Sequence, residues 1–150
     1  MPITSVRGDI LKSTSYVLVN PVNTVGVMGA GLALQFKKKY PGMFKEYVKD
    51  CERGTMKIGF PLPYKIDAAT IVVCFPTKEN WQDKSKLEWI VQGLENLRVW
   101  LKIHPEAKTI SIPKIGCGLG GLGWDVVRGF VVSAFTGWDG SVHLYDMDGR

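Results

Sequence analysis

Short runs of apolar and β-branched residues alternate with helical segments along this chain, and the alternation limits the folds that it can adopt. Four such runs are predicted to be strands: residues 16–19, 71–75, 109–112 and 142–145. Strands that are apolar along their whole length are covered on both faces, as in parallel sheets. The alternation therefore predicts an α/β fold, with helices layered around a largely parallel sheet.

Three segments between these strands have the periodicity of amphipathic helices, and we expect their apolar faces to form core. Pro41 precedes the first, in a position that favours the first helical turn. Ser85 and Glu88 have the spacing of a capping box at the start of the second. The apolar stripes are Phe44, Tyr47, Val48 and Cys51; Leu87, Ile90, Val91, Leu94, Leu97 and Leu101; and Val127, Phe130, Val131 and Ala134.

The size and charge of the chain favour one intracellular domain. Its 150 residues suit a single domain, residues 1–150, and its net charge of +5 favours polyanionic partners or reflects solubilising surface lysines. The spacing of Cys51, Cys74 and Cys117 suits neither a zinc site nor a disulfide framework, which predicts a reducing, cytoplasmic setting. Neither a membrane span nor a secretory signal is recognisable, so no membrane partner is predicted.

Asparagines and glycines follow the first predicted strand. Asn20-Pro-Val-Asn23 comes directly after it, and residues 27–32, here named the first glycine loop, lead into a helical segment. Both residue types are common in turns. However, a glycine-rich loop at a helix N-terminus also presents bare backbone N–H groups, which suit a phosphate.

A loop with more glycines, residues 113–123, follows the strand at 109–112 and is here named the second glycine loop. It contains five glycines in the eight residues from Gly116 to Gly123, which costs conformational entropy on folding. Close approach of the backbone to a ligand explains that cost better than a plain connection does. Neither loop has the Walker A or dinucleotide-binding spacing. Because ligands bind beyond the carboxyl ends of parallel strands, we expect a diphosphate between the two loops.

These segments together resemble macrodomains over essentially the whole chain. Arg7-Gly-Asp-Ile10 is similar to the opening motif of that family, in which the aspartate accepts a hydrogen bond from the adenine amino group. Asn20-Pro-Val-Asn23 replaces the family's Asn-Ala-Ala-Asn, whose second asparagine contacts the distal ribose. The resemblance implies a three-layer α/β/α fold with a central mixed, largely parallel sheet.

The two glycine loops resemble the phosphate loops of the family, and Tyr145 resembles the aromatic residue that packs beside the adenine. The resemblance thus implies a binding site for ADP-ribose. The residues that it assigns to this site are Asp9, Ile10, Asn20, Asn23, Met28, Gly29, Ala30, Gly31, Leu32, Thr77, Gly116, Cys117, Gly118, Leu119, Gly120, Gly121, Leu122 and Tyr145.

One branch of the family is more similar than the others. It holds the human terminal ADP-ribose glycohydrolase and the DarG antitoxin macrodomain, in which a lysine after the central strand is catalytic; Lys78 matches it. Apart from the resemblance, only its position at the rim of the expected crevice distinguishes Lys78 from an ordinary solvated lysine. Gly120 stands where the human enzyme has a catalytic aspartate, as in DarG. The carboxylate partner of Lys78 is therefore open, with Glu79 and Asp83 nearest along the chain.

The resemblance implies a hydrolase that removes ADP-ribose from DNA, with thymidine in single strands as the expected site and a DNA ADP-ribosyltransferase toxin as the expected partner. We expect a monomer with no cofactor and no metal. Two alternatives stay open: a reader that binds ADP-ribose without chemistry, and a hydrolase of protein-linked ADP-ribose or ADP-ribose 1″-phosphate. Trp81 is a candidate for stacking on DNA bases. Candidates for contacts with DNA phosphates are Lys37, Lys38, Lys39, Lys84 and Lys86.

Overall fold

The computed structural model describes residues 3–147, which contain a six-stranded sheet. The strands are β1 (Ile3–Arg7), β2 (Val17–Asn23), β3 (Leu62–Asp67), β4 (Thr70–Lys78), β5 (Thr109–Pro113) and β6 (Ser141–Met147). Their order across the sheet is β1-β6-β5-β2-β4-β3. All neighbouring pairs are parallel except β3, which runs antiparallel to β4. The predicted α/β class with a mixed, largely parallel sheet is confirmed.

Helices cover both faces of this sheet. They are α1 (Gly31–Lys39), α2 (Pro41–Glu52), α3 (Leu87–Ile103) and α4 (Trp124–Ala134), with short 3₁₀ turns at Ile10–Lys12 and Gly118–Gly120. One buried cluster joins α1, α2 and the first 3₁₀ turn to the sheet, and a second cluster joins α3 and α4 to its other face. This is the expected three-layer arrangement.

The predicted apolar stripes form core except for one residue, and one predicted helix start is different. Phe130 is 40% exposed, because it lies on the outer side of α4 while Val127 and Val131 are buried. The capping box at the start of α3 is wrong: Lys86 is the N-cap residue and makes no side-chain capping bond. The hydroxyl of Ser85 is instead buried without a hydrogen-bond partner.

The central strands run further than the sequence predicts. Asn20-Pro-Val-Asn23 belongs to β2, not to a loop after it, because it pairs in parallel with the end of β4. Two prolines lie inside these strands, where a missing N–H normally breaks a ladder. Pro21 is tolerated because the β2–β5 ladder ends at Leu18, and Pro76 because β3 pairs with β4 only as far as Cys74.

Two strands, β1 and β3, were not predicted from the sequence. Both lie at the edges of the sheet, where one side of a strand has no neighbour. The residues of β3 alternate between half-buried and exposed, and β1 has no fully buried residue. Edge strands therefore lack the continuous apolar run that identified the four inner strands.

Candidate functional site

The segments predicted to bind a ligand meet at one edge of the sheet. Strands β1, β6, β5, β2 and β4 are mutually parallel, so their carboxyl ends share this edge, here named the carboxyl edge. After β2 the chain continues to α1 on one face, and after β5 it continues to α4 on the opposite face. Neighbouring strands whose connections leave to opposite faces form a crevice that typically binds ligands.

This space, here named the switch crevice, lies between the ends of β2 and β5. Their ladder stops at the pair Leu18 and Ser111, although both strands continue toward the carboxyl edge. The two glycine loops therefore border the switch crevice from its two sides. One other surface depression, beside Arg98 and Trp138, lies at the opposite edge, and another, beside Arg53 and Phe60, is lined by neither glycine loop.

Asn23 organises the connection between β2 and the first glycine loop. Its Oδ1 accepts hydrogen bonds from the backbone N–H groups of Val25 at 3.1 Å and Val27 at 3.3 Å, and its Nδ2 donates to the Val27 carbonyl at 2.7 Å. The Tyr47 hydroxyl lies 2.7 Å from the same Oδ1 and 2.9 Å from the Asn23 carbonyl. The amide is thus used inside its own loop, and its contact with a ribose stays a prediction.

The side chains of Asn20 and Met28 are buried beneath the exposed surface of the first glycine loop. The Asn20 amide contacts the sulfur atoms of Met28 and Cys74 at 3.8 Å. The Oδ1 atom of Asn20 has no hydrogen-bond partner. The outer surface of the loop is formed by Gly29, Ala30 and Gly31, which are exposed.

The start of α1 presents unpaired backbone donors at this surface. Gly31 is its first residue and has a φ of +57°, a conformation that disfavours a side chain. The N-cap residue, Ala30, offers no side-chain cap, and Leu32 is half-buried behind it. The first N–H groups of a helix without a cap suit an anionic ligand, as the sequence predicts.

The glycines of the second glycine loop have two different roles. Gly116 is buried with a φ of +75°, and a Cβ there would lie 2.9 Å from Leu122 and 3.0 Å from Ile90. This glycine is needed for packing. Gly118, with a φ of +64°, is exposed, and a Cβ there would meet nothing within 4 Å. It leaves the backbone open to a ligand, and Leu119 beside it is 76% exposed.

Gly120 lies against the segment that follows β4. Its carbonyl accepts a hydrogen bond of 2.9 Å from the Ser85 backbone N–H, and a Cβ on Gly120 would lie 2.6 Å from the Ser85 hydroxyl oxygen. There is consequently no room for a larger side chain at this position unless Ser85 moves. The sequence has glycine here in place of the aspartate of the human enzyme, and Ser85 occupies the space that a larger side chain would need.

Lys78 ends β4, in register with Asn23 at the end of β2. Its ammonium group donates a hydrogen bond of 3.0 Å to the Trp81 carbonyl. In the described part of the chain, neither of the proposed carboxylates forms an ion pair with it; Asp83 instead accepts a hydrogen bond from the Asn80 N–H at 3.2 Å. Thr77 is buried and its hydroxyl donates to the Val22 carbonyl at 3.4 Å.

The segment after Lys78 connects the two sides of the switch crevice. At its start, the Glu79 carbonyl accepts hydrogen bonds of 3.1 Å from both the backbone N–H and the hydroxyl of Thr24, which follows β2. At its end, Ser85 is bonded to Gly120 in the second glycine loop. Residues 79–85 therefore close one side of the candidate site. The Trp81 side chain in this segment is 55% exposed.

Asp9 and Tyr145 occupy the part of the carboxyl edge nearer β1. Asp9 caps the first 3₁₀ turn, its Oδ1 accepting from the Leu11 N–H at 3.0 Å. Its Oδ2 has no partner in the described residues, which leaves an acceptor for a ligand donor such as an amino group. Ile10 is buried, and Tyr145 packs half-buried against the same cluster.

Two residues that support the site, Tyr47 and Asp146, were not assigned to it from the sequence. Tyr47 was expected only as core, yet its hydroxyl holds Asn23. Asp146, near the end of β6, accepts a hydrogen bond of 3.0 Å from the Trp124 indole and lies 3.5 Å from the Arg128 Nε, so it anchors the start of α4. Neither role has a local sequence signal, because both depend on contacts between distant segments.

The cysteines are not activated nucleophiles. Burial raises the pKa of the Cys117 thiol, and nearby Lys114 offsets this only in part. Burial also raises the pKa of Cys51 and of Cys74. Residues 3–147 contain no group of three or more side chains that could hold a metal ion. No helix among them is long and apolar enough to cross a bilayer.

Comparisons with known proteins agree with this geometry. The Macro domain family model matches residues 19–130. The chain is 43% identical over 137 residues to a Mycobacterium tuberculosis protein named DNA ADP-ribosyl glycohydrolase, a match that covers 89% of this chain and 38% of that protein. The chain thus spans about two fifths of the length of the curated relatives that it matches first.

Two solved structures are also similar. The macrodomain of Mycobacterium tuberculosis DarG has a TM-score of 0.92 and 39% identity, covering 97% of this chain and 98% of that one. Thermosipho africanus DarTG in complex with ADP-ribose has a TM-score of 0.90 and 30% identity, covering 97% of this chain and 42% of that one. The family match spans most of the sheet and both glycine loops, so this chain belongs to the macrodomain family.

Proposed function

We propose that this chain binds ADP-ribose in the switch crevice and hydrolyses it from DNA, as a DarG-like DNA ADP-ribosylglycohydrolase. The observation that carries the proposal is the placement of Lys78 beside a crevice bordered by two glycine loops. The printed names of the relatives support DNA as the substrate, and one similar structure is a complex with ADP-ribose. The net charge of +5 agrees with a polyanionic substrate.

The backbone donors of the two loops would hold the diphosphate, and Asp9 and Tyr145 would hold the adenine. This arrangement uses binding energy far from the reacting bond to position the anomeric carbon. The anomeric carbon would then lie near Lys78 and the end of β2. The other site residues named from the sequence keep their proposed roles.

The proposed reaction breaks the N-glycosidic bond between the anomeric carbon and a base, with thymidine as the expected nucleoside. Water supplies the oxygen that bonds to the anomeric carbon, and the leaving base takes up a proton. Lys78 would act either as the general acid that delivers this proton or, as the neutral amine, as a nucleophile whose bond to the carbon is then broken by water. The Trp81 carbonyl orients its ammonium group in the absence of substrate.

A non-catalytic ADP-ribose reader is the second candidate, and one observation favours it. No carboxylate in the described residues forms an ion pair with Lys78. No side chain is therefore evident as the general base that would activate water. Substrate binding would have to bring Glu79 or Asp83 closer, or the substrate would have to supply the base itself.

Turnover of an ADP-ribosylated oligonucleotide separates the two candidates. We expect wild type to release ADP-ribose, and Lys78→Ala to lose about a hundredfold or more in kcat while its affinity for ADP-ribose stays within a few-fold. Binding without release by the wild type would support the reader. Release by Lys78→Ala at the wild-type rate would remove Lys78 from the mechanism.

The cellular setting is a further part of the proposal. A DNA ADP-ribosyltransferase toxin would produce the substrate, and this chain would reverse that modification. The three free cysteines agree with a reducing compartment such as the cytoplasm.

A further inference from the structure

The side chain of Lys84 lies along the second glycine loop. A Cβ on Gly121 would be 3.0 Å from its Cδ, 3.4 Å from its Nζ and 3.7 Å from its Cε. The positive φ of Gly121, +83°, and its missing side chain leave the space that the lysine occupies. An ammonium group is therefore held against a loop whose neighbouring glycine, Gly118, is open to a ligand.

The backbone next to Lys84 is anchored in this position. Ser85 is 6% exposed, and its N–H is bonded to the Gly120 carbonyl at 2.9 Å. The backbone from which the Lys84 side chain extends is thus fixed beside the second glycine loop. In the described part of the chain, no carboxylate forms an ion pair with Lys84.

Three of the four other lysines considered as phosphate contacts have contacts within the fold. Lys37 lies over the Phe44 ring at 4.4 Å, and Lys86 lies over the Trp89 ring at 5.1 Å. Lys39 donates a hydrogen bond to the Leu11 carbonyl. Lys84 differs from these three because its ammonium group lies beside an open, glycine-lined backbone.

We propose that Lys84 is a phosphate-binding residue of the switch crevice. The N–H groups of Gly120 and Gly121 are bonded inside the loop, so the Lys84 ammonium group is the point charge that this part of the loop offers to phosphate oxygens. The phosphate belongs either to the diphosphate of ADP-ribose or to the DNA strand that carries it. The closeness of Nζ to Gly121 favours the diphosphate. This inference rests on the proposed function for the identity of the ligand.

The test compares Lys84→Met with Lys102→Met. Methionine keeps an unbranched apolar stem beside Gly121 and removes the charge, and the control removes the same charge in the last turn of α3, away from the site. Calorimetry with ADP-ribose and with inorganic pyrophosphate would measure binding without any need for catalysis. We expect Lys84→Met to weaken both by about tenfold, Lys84→Arg to recover part of the loss, and Lys102→Met to bind as wild type.

A second arm measures kcat/KM on an ADP-ribosylated oligonucleotide. Unchanged binding of both small ligands with a lower kcat/KM on the oligonucleotide assigns Lys84 to a DNA phosphate. Unchanged binding together with unchanged kcat/KM overturns the proposal. If the wild type binds pyrophosphate through Lys84 but releases no ADP-ribose, the proposed function fails while the phosphate contact stands.

Discussion

The hydroxyl of Tyr47 in α2 lies 2.7 Å from Oδ1 of Asn23 at the end of β2. Burial raises the pKa of Tyr47, so the hydroxyl keeps its proton and remains a donor at neutral pH. Through this contact, a core helix holds the connection that leads to the first glycine loop. The binding surface of the site thus depends on a side chain that lies on the apolar face of α2.

Removing this hydroxyl should destabilise the protein. We expect Tyr47→Phe to lower the free energy of unfolding by about 1–2 kcal/mol, because Asn23 loses a buried donor. Tyr40→Phe is the control, since the Tyr40 ring packs against Phe36 and its hydroxyl makes no hydrogen bond in the described residues. Urea unfolding monitored by fluorescence measures both. Equal stability of the two variants would show that the contact contributes nothing.

The open glycine of the second glycine loop can be tested by adding a charged side chain. We expect Gly118→Glu to weaken ADP-ribose binding by about a hundredfold or more, because a carboxylate would enter the diphosphate site. Gly137→Glu is matched to it: Gly137 also has a positive φ, +83°, and open space, but precedes β6 at the opposite edge of the sheet. Unchanged affinity of Gly118→Glu in calorimetry would refute the phosphate assignment of this loop.

The contact between Gly120 and Ser85 predicts a pair of coupled substitutions. Gly120→Ala alone should cost about 1–3 kcal/mol of stability, because its Cβ would lie 2.6 Å from the Ser85 hydroxyl oxygen. Ser85→Ala removes a buried hydroxyl that has no partner, so its own effect should be small. In the double variant most of the cost should disappear. Additive free energies of unfolding would contradict the contact.

The inner, buried part of the fold could be predicted from the sequence, but the hydrogen bonds of the site could not. The strands around Val17, Ile71 and Ile110 have continuous apolar runs that identify them. The roles of Ser85 and Asn23 depend instead on partners brought near by tertiary packing. Ser85 therefore resembled a helix cap, although its real neighbour, Gly120, is 35 positions away in sequence.

The sequence did not distinguish the roles of the glycines in the second glycine loop. The sequence marks Gly116 and Gly118 equally, and only the structure separates a glycine needed beside Ile90 and Leu122 from one that faces open space. Because of Pro21 and Pro76, the sequence also predicted that β2 and β4 end too early. A local pattern cannot show where the ladder to a neighbouring strand ends, and so where a proline is tolerated.

If DNA is the substrate, its recognition should depend on salt. We expect kcat/KM on an ADP-ribosylated oligonucleotide to fall steeply between ~50 and ~200 mM salt, because contacts with DNA phosphates release counterions. Affinity for free ADP-ribose should fall much less. The same shallow salt dependence on oligonucleotide and modified mononucleoside would argue that only ADP-ribose is recognised.

The exposed Trp81 ring should also make single strands better substrates than duplexes, and Trp81→Ala should reduce that preference.

The most direct test of the proposed function offers ADP-ribosylated single-stranded DNA and ADP-ribosylated protein to this protein and compares the release of ADP-ribose. The site has Gly120 in place of an aspartate and Ser85 packed against it, so release from acidic protein side chains should be slow. We predict a kcat/KM on DNA at least about a hundredfold higher than on protein. Equal values, faster release from protein, or no release from DNA would contradict the assignment as a DNA ADP-ribosylglycohydrolase.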